Sequence, residues 1–429
     1  MGEITAMPDL KNTPSITELP NGSNWKTDTV LFIASQTLSL FGTSLVQYAM
    51  MWYITLSTQS GVMMTVYIIC GFLPTFLLSP FAGVWADRYN RKNLIMLSDT
   101  LIAAVTLILA ILFLLGYKTV WLLFVMAALR AFGTAVQTPA VGAFLPQLVP
   151  QDKLTKVNGI NGSIQSLVML VSPMISGALL AIAAIETIFF IDVVTAAIAV
   201  MVLFVFLRVA AHAKALQKQT VSYFGDLREG IRYVLNHPFL KIFFLFTAVF
   251  FFLAAPSAFL TPLQVTRSFG NDVWRLTAIE VAFSLGMVIG GLGMASWGGL
   301  KNRVNTMTVA ALMIGVCTLA LGVVPVFWIY LLFMFLIGVA MPIFNVPAMV
   351  LLQEKVEGDF LGRVFGVLTM ISSSMMPLGM LVFGPLADVI KIEWMLIVTG
   401  VLLFIQGFFL LGNKTRIEPE RQEQPAGKP

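Results

Sequence analysis

Long apolar runs alternate with short polar breaks along almost the whole chain. A bilayer-crossing helix needs about 20 mostly apolar residues. Read at that length, the pattern predicts twelve spans: roughly 29–55, 61–86, 94–115, 119–142, 160–183, 187–207, 240–265, 277–299, 306–327, 328–352, 364–387 and 392–412. Spans three and four, five and six, and nine and ten are joined by very short connections, so each pair is expected to form an antiparallel hairpin. The one long polar interruption runs from Arg208 to Pro238. Within it, Phe224, Leu227, Ile231, Val234 and Leu235 recur at helical spacing, which predicts a short amphipathic helix lying along the membrane surface. The nearby Lys214, Lys218, Arg228 and Arg232 would favour anionic lipid. The expected organisation is a disordered arm (1–28), a six-helix bundle (29–207), a linker (208–239), a second six-helix bundle (240–412) and a tail (413–429).

Composition closes off the alternatives. Hydrophobic residues make up 58% of the 429 and charged residues 11%, where a soluble globular chain carries about 25% charge. Twelve spans need about 240 residues, nearly the whole apolar complement. A soluble enzyme, a secreted disulfide scaffold and a nucleic-acid binder are excluded. Cys70 and Cys317 sit in apolar runs, and His212 and His237 share the polar linker, so neither a metal site, a redox pair nor a cofactor is expected. The first 28 residues carry Pro8, Pro14 and Pro20 among charges and lack the apolar core of a signal peptide. The net charge of +5 follows the loops. With the N-terminus inside, 21 of the 26 Lys and Arg fall on inner segments and 4 on outer ones, with Arg130 inside a span. That asymmetry predicts both termini in the cytoplasm.

The chain also echoes itself. At a shift of 212 residues, Gly83–Asn93 falls on Ala295–Asn305, matching Trp85 with Trp297, Asn90 with Asn302, Arg91 with Arg303 and Asn93 with Asn305. Pro139-Ala140 falls on Pro347-Ala348 at 208, and Pro173 on Pro377 at 204. Three echoes near half the chain length imply an all-α integral membrane protein of two pseudo-symmetric six-helix halves.

Gly83-x-x-x-Asp87-Arg88-x-x-Arg91-Lys92, between spans two and three, resembles the loop motif of the major facilitator superfamily. Ser172-Pro173-x-x-Ser176-Gly177 resembles that superfamily's antiporter motif in span five, with serines for two glycines. Arg130 resembles the buried span-four arginine of the drug:H⁺ antiporters. Thr138-Pro-Ala140, Pro146-Gln-Leu-Val149, Ile191-Asp192, Gly362-Arg-Val364 and Gly384-x-x-Ala-Asp388 resemble the bacterial macrolide-efflux branch. The resemblance implies the twelve-helix major facilitator fold, in a bacterial plasma (inner) membrane, with spans one, four, seven and ten around a central cavity. It also implies a contact between Asp87 and the start of span eleven, where Arg363 could add a charged hydrogen bond, closing the cytoplasmic side. Gly83 is expected to let span two pack closely there. The repeat position in the second half is Gly299, so no symmetric partner latch is expected.

A charge at bilayer depth costs about 3 kcal/mol by insertion scales, so Asp99, Arg130, Asp192 and Glu280 are the candidates for coupling to protons. Glu280 and Asp192, nearer the outer end, are the leading carriers, and Arg130 would bias their charge. Gln36, Ser39, Thr43 and Gln47 share one face of span one, and Arg130, Thr134 and Gln137 share one face of span four. With Phe250, Phe251, Phe252 and Phe259 on span seven and Asn345 on span ten, these are cavity candidates; the alternative reading is helix–helix contact. Gly286, Gly290, Gly291 and Gly293 form a close-packing surface on span eight.

The reading that follows is a secondary active transporter, acting as a monomer, exporting amphipathic small molecules such as macrolide-type drugs by proton antiport. Its partners would be the bilayer, the cargo and protons, and its energy source the proton gradient. The alternatives are a carrier for a siderophore or lysophospholipid and, from another class, a membrane enzyme or a transport-dead sensor.

Overall fold

The computed structural model describes residues 25–207, 223–300 and 302–412. The side chains of Pro80, Asp87, 223–227, Gly358, Asp359 and Leu411 lie outside the description, as do most of the arm, the tail and the polar part of the linker. Among the described residues fourteen helices run in order: α1 (Trp25–Thr58), α2 (Gly61–Arg88), α3 (Arg91–Leu114), α4 (Val120–Leu148), α5 (Gln151–Ile182), α6 (Ile185–Phe206), α7 (Tyr223–Asn236), α8 (Pro238–Phe259), α9 (Thr261–Ser268), α10 (Val273–Trp297), α11 (Arg303–Val323), α12 (Phe327–Lys355), α13 (Gly358–Leu386) and α14 (Ile392–Gly412). With α8 and α9 taken together, twelve are long and apolar enough to cross a membrane, and the described residues contain no strand.

The helices overrun the apolar windows, mostly at their polar ends. α1 starts at Trp25, with Asp28 in its first turn, where an acid favours the helix dipole. Ser60, Asn90 and Asn302 cap α2, α3 and α11 by accepting first-turn amides. Prolines sit inside helices, for example Pro139, Pro173 and Pro377. Neighbouring helices at membrane depth make such breaks tolerable. The seventh span is interrupted at Leu260, just before Thr261-Pro262, because proline supplies no amide to continue the ladder.

Two halves recur in the packing. In the first, α1 packs on α5 and α6, α2 on α4, and α3 on α4 and α6. In the second, α8 packs on α13 and α14, α10 on α12, and α11 on α12 and α14, the same pairs one repeat later. α2 meets α13 and α5 meets α10 across the seam. With an even number of spans, α1 begins and α14 ends on one face, here called the termini face; the opposite one is the far face.

Glycines show where the seam is shut. On the far face, a Cβ on Gly61 would strike the Gly384 carbonyl, one on Gly384 the Thr65 hydroxyl, and one on Gly177 the Thr277 hydroxyl, all across the seam. The Thr65 hydroxyl also donates to the Met380 carbonyl at 3.1 Å. Toward the termini face of the same four helices, Cβ atoms on Gly83, Gly159, Gly162, Gly291, Gly293, Gly362 and Gly366 would meet nothing within 4 Å. The halves are drawn together at the far face and stand apart at the termini face. This corrects the expectation for Gly83, which makes no close approach because its end of α2 lies on the open side. It also divides the α10 glycines: Gly286 and Gly290 press on the α12 backbone, while Gly291 and Gly293 do not.

α7 is the predicted amphipathic helix; Ile231 and Val234 on its apolar face pack against protein, while Leu235 is exposed. Val234 is buried in the second-half core, Tyr233 stacks on Phe360 at 4.3 Å between centroids, and Glu229 pairs with Arg363 at 3.5 Å. Docking on α13 removes that part of the face from water as effectively as lipid would.

Candidate functional site

The first half buries two polar clusters, two helical turns apart on α3 and α4. In the one toward the far face, Arg130 Nη1 lies 2.5 Å from Asp192 Oδ2. Thr106 donates to the same carboxylate oxygen at 3.0 Å and is itself in contact with Arg130; Thr43 reaches Oδ1 at 3.5 Å. Asp192 has no exposed surface, Arg130 is 7% exposed, and its Nη2 finds no partner. In the cluster toward the termini face, Asp99, 1% exposed, accepts from Ser39 at 2.7 Å, Gln137 at 2.5 Å and Gln36 at 3.4 Å. The two acids therefore differ in kind: a cation holds one, and only neutral donors hold the other. The spacing explains the ladder, since seven residues separate Asp99 from Thr106 and Arg130 from Gln137, two turns along one face.

Between the halves lies a cavity of about 430 Å³. Thr43 and Gln47 of α1, Arg130 and Thr134 of α4, and Tyr67 and Thr75 of α2 line the first-half side. Phe259, Ser372, Ser373, Met376 and Pro377 line the other, with Met50 and Met51 adding flexible apolar surface. The wall is thus apolar, with hydroxyl and amide groups at intervals.

The predicted site residues divide accordingly. Gln47 and Arg130 line the cavity. Gln36 and Gln137 turn instead to Asp99, because a buried carboxylate claims the nearest donors. Phe252 packs on Phe383 rather than lining the cavity, and Phe250 is buried against Phe344; of the four phenylalanines, Phe259 is the one at the wall. Asn345 is exposed and outside the lining. Glu280 is half-buried, within electrostatic reach of Tyr48, and has no hydrogen bond or ion pair among the described residues. Pro173 and Gly177 are buried in α5, where Ser176 donates to the Leu45 carbonyl at 3.0 Å. In the loop motif, Arg91 donates to the Ala86 and Ala143 carbonyls at 2.8 and 2.7 Å, and Lys92 to the Leu207 carbonyl at 2.6 Å. These cations tie the ends of α2, α4 and α6 together, a structural task the motif reading missed. Arg88 is exposed. Arg363 lies over the Phe360 ring and pairs with Glu229, while its expected partner Asp87 has its side chain outside the description. Ser372, Ser373 and Tyr67 were missed as lining residues; Tyr67 is a single hydroxyl in an apolar run and the serines are consecutive, so neither gives a helical period. Among the described residues, no cluster of His, Cys, Asp and Glu could hold a metal ion.

Comparison with known proteins adds the following. The family model described as Major Facilitator Superfamily matches residues 31–380. Macrolide efflux protein A of Streptococcus pyogenes is 29% identical over 383 residues, covering 89% of this chain and 94% of the relative. Macrolide efflux protein A of Enterococcus faecalis is 30% identical over 314 residues, covering 73% of this chain and 97% of the relative. Among solved structures, a bacterial homologue of the iron transporter ferroportin in an inward-facing state superposes with a TM-score of 0.70 at 14% identity, covering 90% of this chain and 99% of that one. At that identity the likeness speaks for the fold alone.

Proposed function

The chain belongs to the Major Facilitator Superfamily, a multi-pass membrane transporter rather than an enzyme, and we propose that it exports amphipathic small molecules, macrolide-type compounds among them, in exchange for protons. The observation that carries this reading is the cavity between the halves. Its volume falls within the roughly 300–1,000 Å³ of small-molecule sites. Its wall suits a bulky, largely apolar cargo, with Gln47, Thr43 and the serines of α13 available to hydrogen-bond it. The likeness to two macrolide efflux proteins supports the direction and class of transport.

In this reading the termini face is cytoplasmic, as the Lys and Arg distribution favours. The structure then corresponds to the inward-open state, ready to take cargo from the cytoplasm. Asp99 and Glu280 are the proton carriers, because among the described residues neither has a cation within hydrogen-bond reach. Asp192, a leading candidate from the sequence, is assigned a fixed, structural role as the ion-pair partner of Arg130 at 2.5 Å. Alternating between protonated and charged forms couples to rocking of the halves only if the two states bind the proton differently. Uptake into inverted vesicles under an imposed pH gradient, screened over macrolides, cationic dyes, siderophores and lysolipids, tests the proposal. Gradient-dependent accumulation of a macrolide is expected. Accumulation that ignores the pH gradient would refute the coupling, and accumulation of siderophores or lysolipids alone would refute the cargo class.

A further inference from the structure

One carboxylate draws the far face together. Asp388 follows the end of α13 and sits against the start of α2. Its Oδ1 accepts the Gly61 amide at 2.7 Å, and its Oδ2 accepts the Val62 amide at 3.0 Å and the Ser60 hydroxyl at 2.7 Å. Arg267, in the last turn of α9, donates to Asp388 Oδ1 at 2.9 Å, to the Ala387 carbonyl at 2.6 Å and, across the seam, to the Gln59 carbonyl. Asp388 and Arg267 belong to the second half; Gln59, Ser60, Gly61 and Val62 belong to the first. First-turn amides of a helix have no partner within it and sit at the positive end of its dipole, so a carboxylate there is well held. Burial alone would raise the Asp388 carboxyl. The Val62 and Gly61 amides, the Ser60 hydroxyl and Arg267 outweigh it and keep the group below the ordinary carboxylate value.

The sequence around it repeats a pattern. Gly384-Pro-Leu-Ala-Asp388 has the glycine, alanine and aspartate of Gly83-Val-Trp-Ala-Asp87 at the same offsets. α2 and α13 are neighbours whose chains run in opposite senses through the membrane, so the two motifs lie at opposite ends of one helix pair. Asp388 stands beside Gly61 at the N-terminus of α2, while Asp87 ends α2 on the termini face, the face on which α13 begins. A translational repeat search looks for the partner of the loop motif at Gly299, and so passes over a partner on the other helix of the pair. Gly384 serves the contact directly, since any side chain there would meet Thr65.

We propose that Asp388, bridged by Arg267, is the latch of the outer gate: it holds the far face shut in the inward-open state and must release α2 before the carrier opens outward. The proposal requires no particular cargo or coupling ion, so its test is separate from that of the transport reading. Spin labels are placed at Tyr117 and Val326, exposed far-face positions in the two halves, and at the exposed Gln151 and Gln353 on the termini face. Distances are measured on the full chain in lipid nanodiscs without cargo, with Cys70 and Cys317 replaced by Ser. Asp388→Asn and Arg267→Gln are expected to raise the ratio of far-face-open to far-face-closed molecules at least about tenfold, with the termini-face distance shortening in step. A tenfold change corresponds to about 1.4 kcal/mol. Ser60→Ala, which removes one hydroxyl and with it the α2 cap, shifts the ratio in the same direction by a smaller factor, and Arg267→Gln carries the test should Asp388→Asn fail to fold. Asp272→Asn removes a far-face acid paired with Arg275 inside the second half and is expected to leave both distances unchanged. Unaltered far-face distances in the folded latch variants would overturn the proposal. So would an equal shift in Asp272→Asn, which would mark a general effect of surface charge.

Discussion

Replacing Asp192 and Asp99 by asparagine, one at a time, separates the two buried clusters by energy. Asp192→Asn leaves the Arg130 guanidinium 7% exposed, facing a neutral amide, with Nη2 already lacking a partner. Removing one member of a buried ion pair costs about 3–5 kcal/mol, whereas replacing both with apolar residues of similar volume is often neutral. The single variant should therefore lose about that much stability, and Arg130→Met with Asp192→Leu should recover most of it. Asp99→Asn behaves differently. It weakens two short hydrogen bonds, from Gln137 at 2.5 Å and Ser39 at 2.7 Å, each worth about 1.5–3 kcal/mol to a charged acceptor. It also removes a buried charge that no cation neutralises, a penalty of several kcal/mol. The two changes offset one another to within about 2 kcal/mol. Asp99→Asn should thus fold nearly as well as the parent yet lose its response to a pH gradient. Unfolding followed by tryptophan fluorescence in a fixed lipid–detergent mixture measures the first quantity, and gradient-driven efflux from proteoliposomes the second. An Asp192→Asn protein as stable as the parent, or an Asp99→Asn protein with full coupling, would refute the division of roles.

Gly384→Val should drive a side chain into Thr65 and weaken far-face closure by about 1–3 kcal/mol, read as a longer far-face distance between labels at positions 117 and 326; Gly83→Val, with nothing within 4 Å, should leave this state untouched. The Asp388 carboxyl lies below its ordinary value when latched, so the latch is fully favoured above the ordinary aspartate value of about 3.9. It weakens as pH falls below that value and is gone below the lower latched one, so in an Asp99→Asn, Glu280→Gln background, which removes the coupling acids, far-face distances should hold steady from about pH 8 to 5 and lengthen below about 4; lengthening near neutrality there would contradict the sign. A cysteine at Gln47 should react with aqueous thiol reagents and be protected by cargo, whereas one at Gln137, turned to Asp99, should react slowly; equal reactivity would erase that distinction. Asp87→Asn should favour the inward-open state and reduce export with insertion intact, and cysteines at positions 87 and 363 should cross-link only in a cytoplasm-closed form; normal export with an unchanged distance distribution would exclude that contact.

The twelve spans, the hairpins and the two-half repeat were legible in the sequence, because a bilayer imposes a length and a polarity on every helix that crosses it. The same constraint made Asp99, Arg130, Asp192 and Glu280 conspicuous, since charge at that depth is costly. Their partners were not legible. Ser39 and Gln137 meet Asp99 from 60 and 38 residues away, and Asp192 meets Arg130 across 62. Which donor faces which acid depends on how α1, α3, α4 and α6 are rotated about their own axes, and packing sets those rotations. Periodicity placed Gln36, Gln47 and Gln137 on inward faces, but only the fold decided that two of them serve a carboxylate and one the cavity. Phe252 illustrates the limit from the apolar side: four phenylalanines on one helix look alike in sequence, and the crossing of α8 with α13 and α12 chose Phe259 for the wall. Asp388 shows it most fully. Gly384-x-x-Ala-Asp388 stood out as a family-like phrase, but its task did not, because a helix N-terminus becomes an anion site only for an acid that another part of the chain brings to it.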